Sequence, residues 1–265
     1  MKPTNQNVGT QPLITIIIAT RNCADDLRGC ISSIRCQNYK KYKVIIADGG
    51  STDQTLDIIK ENIDLIYSWT SSPDKGVYDA WNRALDGVDE GWVLFMGADD
   101  RLYTPETLDI AVEALSELSE NVLVAYGTVS YSRRDGSERI VGESWAKAST
   151  NIGTKMPIPH QAAFHRAQLF EGGRKFVTKF KIAADYEMIL WSASTGEIAH
   201  MPGLVVMSQG LEGMSSLRSN RLRILREYRE IQKAYGYTVT IPWIIAVLKG
   251  IFWSLLTAGS SKKNA

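Results

Sequence analysis

Short β-branched runs that alternate with segments of helical period constrain this chain more than any other feature. LITIIIA (13–19), YKVIIA (42–47), LIYSW (65–69) and WVLFM (92–96) are too short for helices and rich in Ile, Val and aromatic residues. Between and after them, apolar residues recur three or four apart: Leu27, Ile31 and Ile34; Leu56 and Ile59; Val77 to Leu85; Leu108, Val112 and Leu115. Continuous apolar strands need cover on both faces. The pattern therefore predicts βαβ units: a Rossmann-like α/β layer with a mostly parallel sheet and helices on both faces.

In such a layer ligands bind outside the carboxyl ends of the strands. Three strand ends carry polar clusters there: ATRN (19–22), ADGGSTD (47–53) and GADD (97–100). WVLFM ends abruptly in Gly97, Ala98 and two adjacent carboxylates, Asp99 and Asp100, whose mutual repulsion a divalent cation would relieve. Asp48 sits at a strand tip as an acceptor-only group able to take a hydrogen bond from a base N–H such as uracil N3. Read as local structure alone, DGGSTDQT is also an ordinary strand-to-helix turn, with Ser51 and Gln54 spaced as a capping box. SPDKGVYDAWNRAL likewise reads as a helix start with Asp74 and Asp79 complementing the dipole, and GADD as a capped turn before a helix opening at Thr104-Pro105-Glu106. No Gly-x-Gly-x-x-Gly loop is suitably placed, which argues against a dinucleotide wrapped on a helix N-terminus.

From Asn121 the pattern changes. VLVAYGTVSYS and ERIVGES predict a strand pair joined by RRDGS, followed by the loop NIGTKMPIPH, a helix over 183–194 containing Asp185, and a strand over 201–209. The sequence divides into a domain over 1–215, with a nucleotide-binding half (12–102) and an acceptor half (103–215), and a tail over 216–265. That tail holds a basic helix (217–235) and an apolar one (241–256) with Trp243 and Trp253 near its ends and Lys249 inside it. Such a pair suits an interfacial anchor on an anionic leaflet; packing on the core or in a homo-oligomer is the other way to cover it. The 30 Lys and Arg nearly balance 29 Asp and Glu, so no global field points to nucleic acid. Cys23, Cys30 and Cys36 match no common zinc spacing, and their odd number suits a reduced, cytoplasmic protein.

In this order, TIIIATRN, DGGSTDQT, SPDKGVYDAWNRAL, FMGADD, PHQAAF and AADYEMIL resemble the bacterial family 2 glycosyltransferases of GT-A fold, over roughly residues 12 to 210. The resemblance implies a UDP- or GDP-linked sugar donor held by Thr20, Arg21, Asn22, Asp48, Gly50, Ser51, Asp74, Lys75, Gly76, Asp79, Asn82 and Ala98. It assigns Mn²⁺ or Mg²⁺ to Asp99 and Asp100, although Gly97 stands where the family's Asp-x-Asp motif has its first Asp. Ala184-Asp185 matches a Glu-Asp pair, making Asp185 the expected general base, with Glu187 next in line; His160 and Gln161 are expected near the diphosphate or acceptor. The implied activity is inverting transfer to a glycan or polyprenol-linked acceptor in surface polysaccharide synthesis, by a protein peripheral on the inner face of the plasma membrane. The departures at Gly97 and Ala184 favour the alternative, a catalytically weak sugar-nucleotide-binding component of an assembly complex.

Overall fold

The computed structural model describes residues 11–132, 137–209 and 220–239, then 241, 243–245 and 247–249. Four strands, β1 (Ile14–Thr20), β2 (Tyr42–Asp48), β3 (Ser68–Ser71) and β4 (Trp92–Gly97), pair in parallel in the order β3-β2-β1-β4. Side-chain alternation sends Ile14, Ile16 and Ile18 into one core and Ile17, Ile45, Val93 and Phe95 into the other. The first core is covered by α1 (Ala24–Arg35), α2 (Thr55–Glu61) and α4 (Thr107–Ser116). The second is covered by α3 (Val77–Ala84), α6 (Ala184–Thr195) and Ile231 of α7 (Arg221–Ala234). Helices thus lie on both faces, as the alternation predicts.

The sheet is not mostly parallel. Beyond β4 it continues through β8 (Ala163–Arg166), antiparallel to both β4 and β6 (Val122–Ser132). β9 (Glu197–Gln209) then runs parallel to β6, β5 (Arg101–Leu102) is antiparallel to β9, and β7 (Glu138–Val141) is antiparallel to β6. A parallel pair needs a long crossover, and after β4 the chain makes only one, through α6. The hairpin of β6 and β7, and β8 inserted between β4 and β6, give antiparallel neighbours instead. The short helix α5 (Trp145–Ala148) lies between β7 and β8.

Several boundaries differ from expectation. β3 starts at Ser68, so Leu65 and Ile66 end the preceding turn, with Ile66 packed in the core. β9 begins at Glu197 and pairs with β6 from Val122 onward, four residues ahead of the run starting at Met201. The Ser51–Gln54 capping box does not form: α2 begins at Thr55 without a side-chain cap bond, because the Ser51 hydroxyl serves Asp48. Residues 133–136, within RRDGS, and 210–219, where the tail was expected to begin, lie outside the described residues, as does Trp253.

Register sets the position of the strand tips. Thr20 pairs with Asp48, Asp48 with Ser71 and Ala19 with Gly97, so the polar ends form one edge. Gly91 aligns the last of these strands: φ is +76°, and a Cβ would lie 2.1 Å from the Leu13 carbonyl oxygen. That oxygen already accepts the Trp92 N–H at 2.9 Å. Gly91→Ala combines left-handed strain with a backbone clash and should cost roughly 3 kcal/mol or more in a denaturant titration.

Candidate active site

The tip of β2 organises a turn before it offers anything to a ligand. Asp48 is buried, and its Oδ2 accepts N–H bonds from Gly50 and Ser51 at 3.0 and 2.9 Å and a hydroxyl bond from Ser71 at 2.6 Å. Oδ1 accepts the Ser51 hydroxyl. Ser51 Oγ in turn accepts the Asn22 N–H, and Asn22 Oδ1 accepts the Thr52 N–H, holding Asn22 at φ +49°. Asp48, Asn22, Gly50 and Ser51 thus form a bonded wall behind the strand tips, with the Asp48 carboxylate saturated by protein donors.

In front of that wall opens a cleft of about 700 Å³. It collects Thr20 at the end of β1 and Arg21 just after it, Asp74, Lys75 and Gly76 from the loop before α3, and Ala98 and Asp99 after β4. Cys23 and Asp26, which no motif singled out, complete two walls. The loop is shaped by its own carboxylates: Asp74 accepts the Gly76 N–H at 2.8 Å, and Asp79 accepts the Lys75 N–H at 3.0 Å while pairing with Arg83. Asn82 does not line this cleft. It is buried and exchanges two 2.8 Å hydrogen bonds with the backbone of Phe176.

The two carboxylates of GADD part company. Asp99 lines the cleft, whereas Asp100 is buried, with Oδ2 accepting the Gly97 N–H at 2.8 Å and Oδ1 without a partner. Burial, reinforced by neighbouring Asp99, pushes Asp100 up to about 7. Gly97 leaves room for Asp99: a Cβ there would lie 2.6 Å from Asp99 Oδ1. Among the described residues no three His, Cys, Asp or Glu side chains gather around a point that could hold a metal. A hard carboxylate beside a phosphate-sized cleft nevertheless fits Mg²⁺ or Mn²⁺, which take one or two protein carboxylates and complete their shell with substrate phosphates and water.

A second cavity, of about 450 Å³, is lined by His160, Gln161, Asp185, Ile182, Tyr228, Arg139 and Lys155 among others. Asp185 stands in the first turn of α6, whose N-cap is Ala183. Its carboxylate accepts the Tyr186 N–H at 2.8 Å and the Tyr78 hydroxyl at 3.1 Å; the same hydroxyl lies 2.8 Å from the Ile182 carbonyl oxygen. Burial pushes Asp185 up to about 6, against the lowering effect of those two donors. Glu187, the reserve candidate, is committed elsewhere, paired with Arg174 at 2.6 Å and bonded by the Tyr235 hydroxyl at 2.8 Å. His160 is buried between Trp81 and Phe95, with its Nε2 3.2 Å from His165 Nε2. Burial lowers His160 to about 3, so it faces the cavity as a neutral imidazole.

Tyr78 is the site residue that the motifs concealed. It lies two positions after Gly76 on the buried face of α3, and its hydroxyl crosses to α6. A tyrosine among Val77, Ala80 and Trp81 reads as core, and only the need of a buried hydroxyl for a partner signals more.

A cleft at the C-terminal strand edge and a cavity holding Asp185 lie on an α/β sheet with an antiparallel extension, an arrangement consistent with the GT-A type. The chain belongs to Glycosyl transferase family 2, whose profile matches residues 15–171, and it is a glycosyltransferase. It is 35% identical over 181 residues to the PGL/p-HBAD biosynthesis glycosyltransferase of Mycobacterium bovis, covering 66% of this chain and 68% of the relative. It is 25% identical to the hyaluronan synthase of Pasteurella multocida over 74% of this chain but only 20% of that protein. Among solved structures, S. aureus TarS 1–349 in complex with UDP-GlcNAc superposes with a TM-score of 0.66 at 18% identity, over 90% of this chain and 71% of that one. Against the longer TarS chain the share covered is 39%. The mannosyltransferase PcManGT from Pyrobaculum calidifontis, in complex with GDP-Man and Mn²⁺, gives 0.65 at 18% identity, over 94% and 74%.

An aspartate that binds its proton more tightly folded than unfolded stabilises the fold fully only below its unfolded pKa, near 4. That contribution is lost as pH rises through about 6. Asp185→Asn should therefore raise the Tm at pH 7 to 8, with the gain shrinking to nothing near pH 4 in a thermal-unfolding series.

Proposed function

We propose that this glycosyltransferase moves a sugar from a nucleoside-diphosphate donor to an acceptor hydroxyl with inversion, using Asp185 as general base. The observation that carries the reading is Asp185 itself: a cavity-lining carboxylate raised towards neutrality, yet kept usable by two hydrogen-bond donors. A base of this pKa is ionised at pH 7 and still basic enough to accept a proton as a C–O bond forms.

The acceptor enters the cavity with its hydroxyl towards Asp185. As its oxygen attacks the anomeric carbon, the proton passes to the Asp185 carboxylate and the bond to the diphosphate breaks on the opposite side. Charge then builds on the departing phosphates in the cleft where Arg21 and Lys75 stand. Asp99 would hold Mn²⁺ or Mg²⁺, which when bound supplies Lewis-acid stabilisation of that leaving group. Thr20, Arg21, Asp74, Lys75, Gly76 and Ala98 enclose the donor; Asp48, Asn22, Gly50, Ser51 and Asp79 fix the loops that do so, while Asn82 braces the backbone of Phe176. The donors named with the structural relatives, UDP-GlcNAc and GDP-Man, support a UDP- or GDP-linked sugar. PGL/p-HBAD biosynthesis and hyaluronan synthesis, named for the sequence relatives, support a lipid-linked or glycan acceptor at the bacterial surface.

The tail supports a membrane setting for that acceptor. Ile241, Ile244, Ile245 and Leu248 are exposed at one-turn spacing, and Trp243 Nε1 donates to the Leu225 carbonyl of α7 at 3.4 Å. Arg221, Arg226, Lys233 and Lys249 are exposed on the same two segments. An apolar face among cations suits an anionic lipid surface. Among the described residues no helix is long and apolar enough to cross a membrane.

A panel of UDP- and GDP-sugars with Mn²⁺, read by acceptor-dependent nucleotide release, tests the activity. Asp185→Asn should lower turnover about 10³-fold and Asp99→Asn on the order of 100-fold. Binding without turnover in the wild type would overturn the reading in favour of a binding component. The acid limb of kcat should lie near pH 6, and Tyr78→Phe, which removes a donor that lowers Asp185, should move it to higher pH. Vesicles containing phosphatidylglycerol should co-sediment the protein where phosphatidylcholine vesicles do not, and Ile244→Ser with Leu248→Ser should abolish that difference.

A further inference from the structure

Asp185 is held from the side of Tyr78 by α3, but the backbone that carries it needs support as well. α6 has no side-chain cap of its own, because its N-cap residue is Ala183. The chain entering it presents the N–H groups of Lys181, Ile182 and Ala183, of which the last is buried in the fold. Such donors cost free energy if left without acceptors.

Glu227, in the middle of α7, supplies all three acceptors. Its Oε1 accepts the Lys181 N–H at 3.0 Å, and its Oε2 accepts those of Ile182 and Ala183 at 2.9 and 3.0 Å. Arg223 Nε, one turn earlier on α7, holds Oε1 at 3.1 Å. The carboxylate is buried, with 8% of the residue exposed. Ile182, whose N–H it fixes, also presents its carbonyl to the Tyr78 hydroxyl that reaches Asp185. The neighbouring Tyr228 lines the same cavity and stacks on Tyr186 at 4.6 Å between ring centroids. A buried carboxylate spanning three consecutive N–H groups ahead of a helix fixes where that helix begins, and the positive end of the helix dipole favours it there.

Resting on the assignment of Asp185 as the base, we infer that Glu227 is a positioning residue for the transfer reaction: through the backbone of 181–183 it sets the place of the Asp185 carboxylate in the cavity. It thereby ties α7, and the basic, apolar segment after it, to the reacting site. The effect on catalysis is steric first, since a displacement of about 1 Å at a base can cost 100-fold in rate. It is electrostatic second, since the Glu227 charge adds to the rise of Asp185. The ionisable groups around Asp185 are Tyr78 from α3, Glu227 and Tyr228 from α7, and His160, Tyr131, Arg139, Glu143 and Lys155 on the cavity wall; Arg223 and Lys181 flank Glu227.

The test compares Glu227→Gln and Glu227→Ala with Asp185→Asn in full-length protein, using nucleotide release from UDP- and GDP-sugars with Mn²⁺ and membrane acceptor. Glu227→Gln keeps the volume and one carbonyl acceptor. It should lower kcat roughly 10- to 100-fold with donor KM within about twofold, and should shift the acid limb of kcat to lower pH, which a merely structural loss would not do. Glu227→Ala should lose more. Hydrogen exchange in the wild type, which needs no variant to fold, should show the Lys181, Ile182 and Ala183 amides protected. Wild-type kcat and pH profile in Glu227→Gln, or rapid exchange of those amides, would overturn the inference while leaving the base in place if Asp185→Asn is inactive. Full activity in Asp185→Asn would overturn both.

Discussion

The Tyr78 hydroxyl, shared between the Ile182 carbonyl and the Asp185 carboxylate, joins parts of the chain more than one hundred residues apart. Everything proposed for the site depends on that junction. Tyr78 belongs to the helix that follows Gly76 at the 700 Å³ cleft, and Asp185 to a helix lining the 450 Å³ cavity. A fully apolar contact between α3 and α6 would be easier to build. A half-buried carboxylate with raised proton affinity opposes folding at neutral pH, and the hydroxyl lessens that opposition while holding the group at the cavity. The remaining tension raises the proton affinity of Asp185, as the proposed base role requires.

The same economy of charges recurs along the strand edge. Asp48 is saturated by four protein donors, so it holds the turn around Gly50 behind the strand tips. Asp100 closes the turn after β4 from inside, which leaves Asp99 as the one of the pair presented to the cleft. Gly97 follows from this arrangement, because a side chain there would collide with the position Asp99 takes. Of the GADD pair only half-buried Asp99 faces the cleft, and one such carboxylate suits a cation that would arrive with a diphosphate rather than one lodged permanently in protein ligands.

Much of this was legible in the sequence. Strands buried on both faces announce themselves as apolar runs, and helices with one buried stripe by their period, so β1, β2, β4, α1, α3 and α4 follow directly from the residues. β5 and β8 do not, because two and four residues carry no period, and the mixed character of the sheet depends on them. The gathering of Thr20, Arg21, Asp74, Lys75, Gly76, Ala98 and Asp99 in one cleft was foreshadowed by polar strand ends. The inward turns of Asp48, Asn82 and Asp100 were not, since their partners are backbone groups set by tertiary structure. Glu227 left no signal, because its partners are N–H groups 44 to 46 residues away and such donors have no side-chain signature.

The central claim is that the donor cleft and the Asp185 cavity serve the two sides of one sugar. A crystal structure with Mn²⁺ and a non-transferable analogue of the accepted nucleotide sugar tests it most directly. The account predicts the diphosphate beside Asp99 and Lys75, with the anomeric carbon open on its far side to a hydroxyl-sized space in front of the Asp185 carboxylate. A sugar turned away from Asp185, or a diphosphate lying outside the cleft between Arg21 and Asp99, would contradict it.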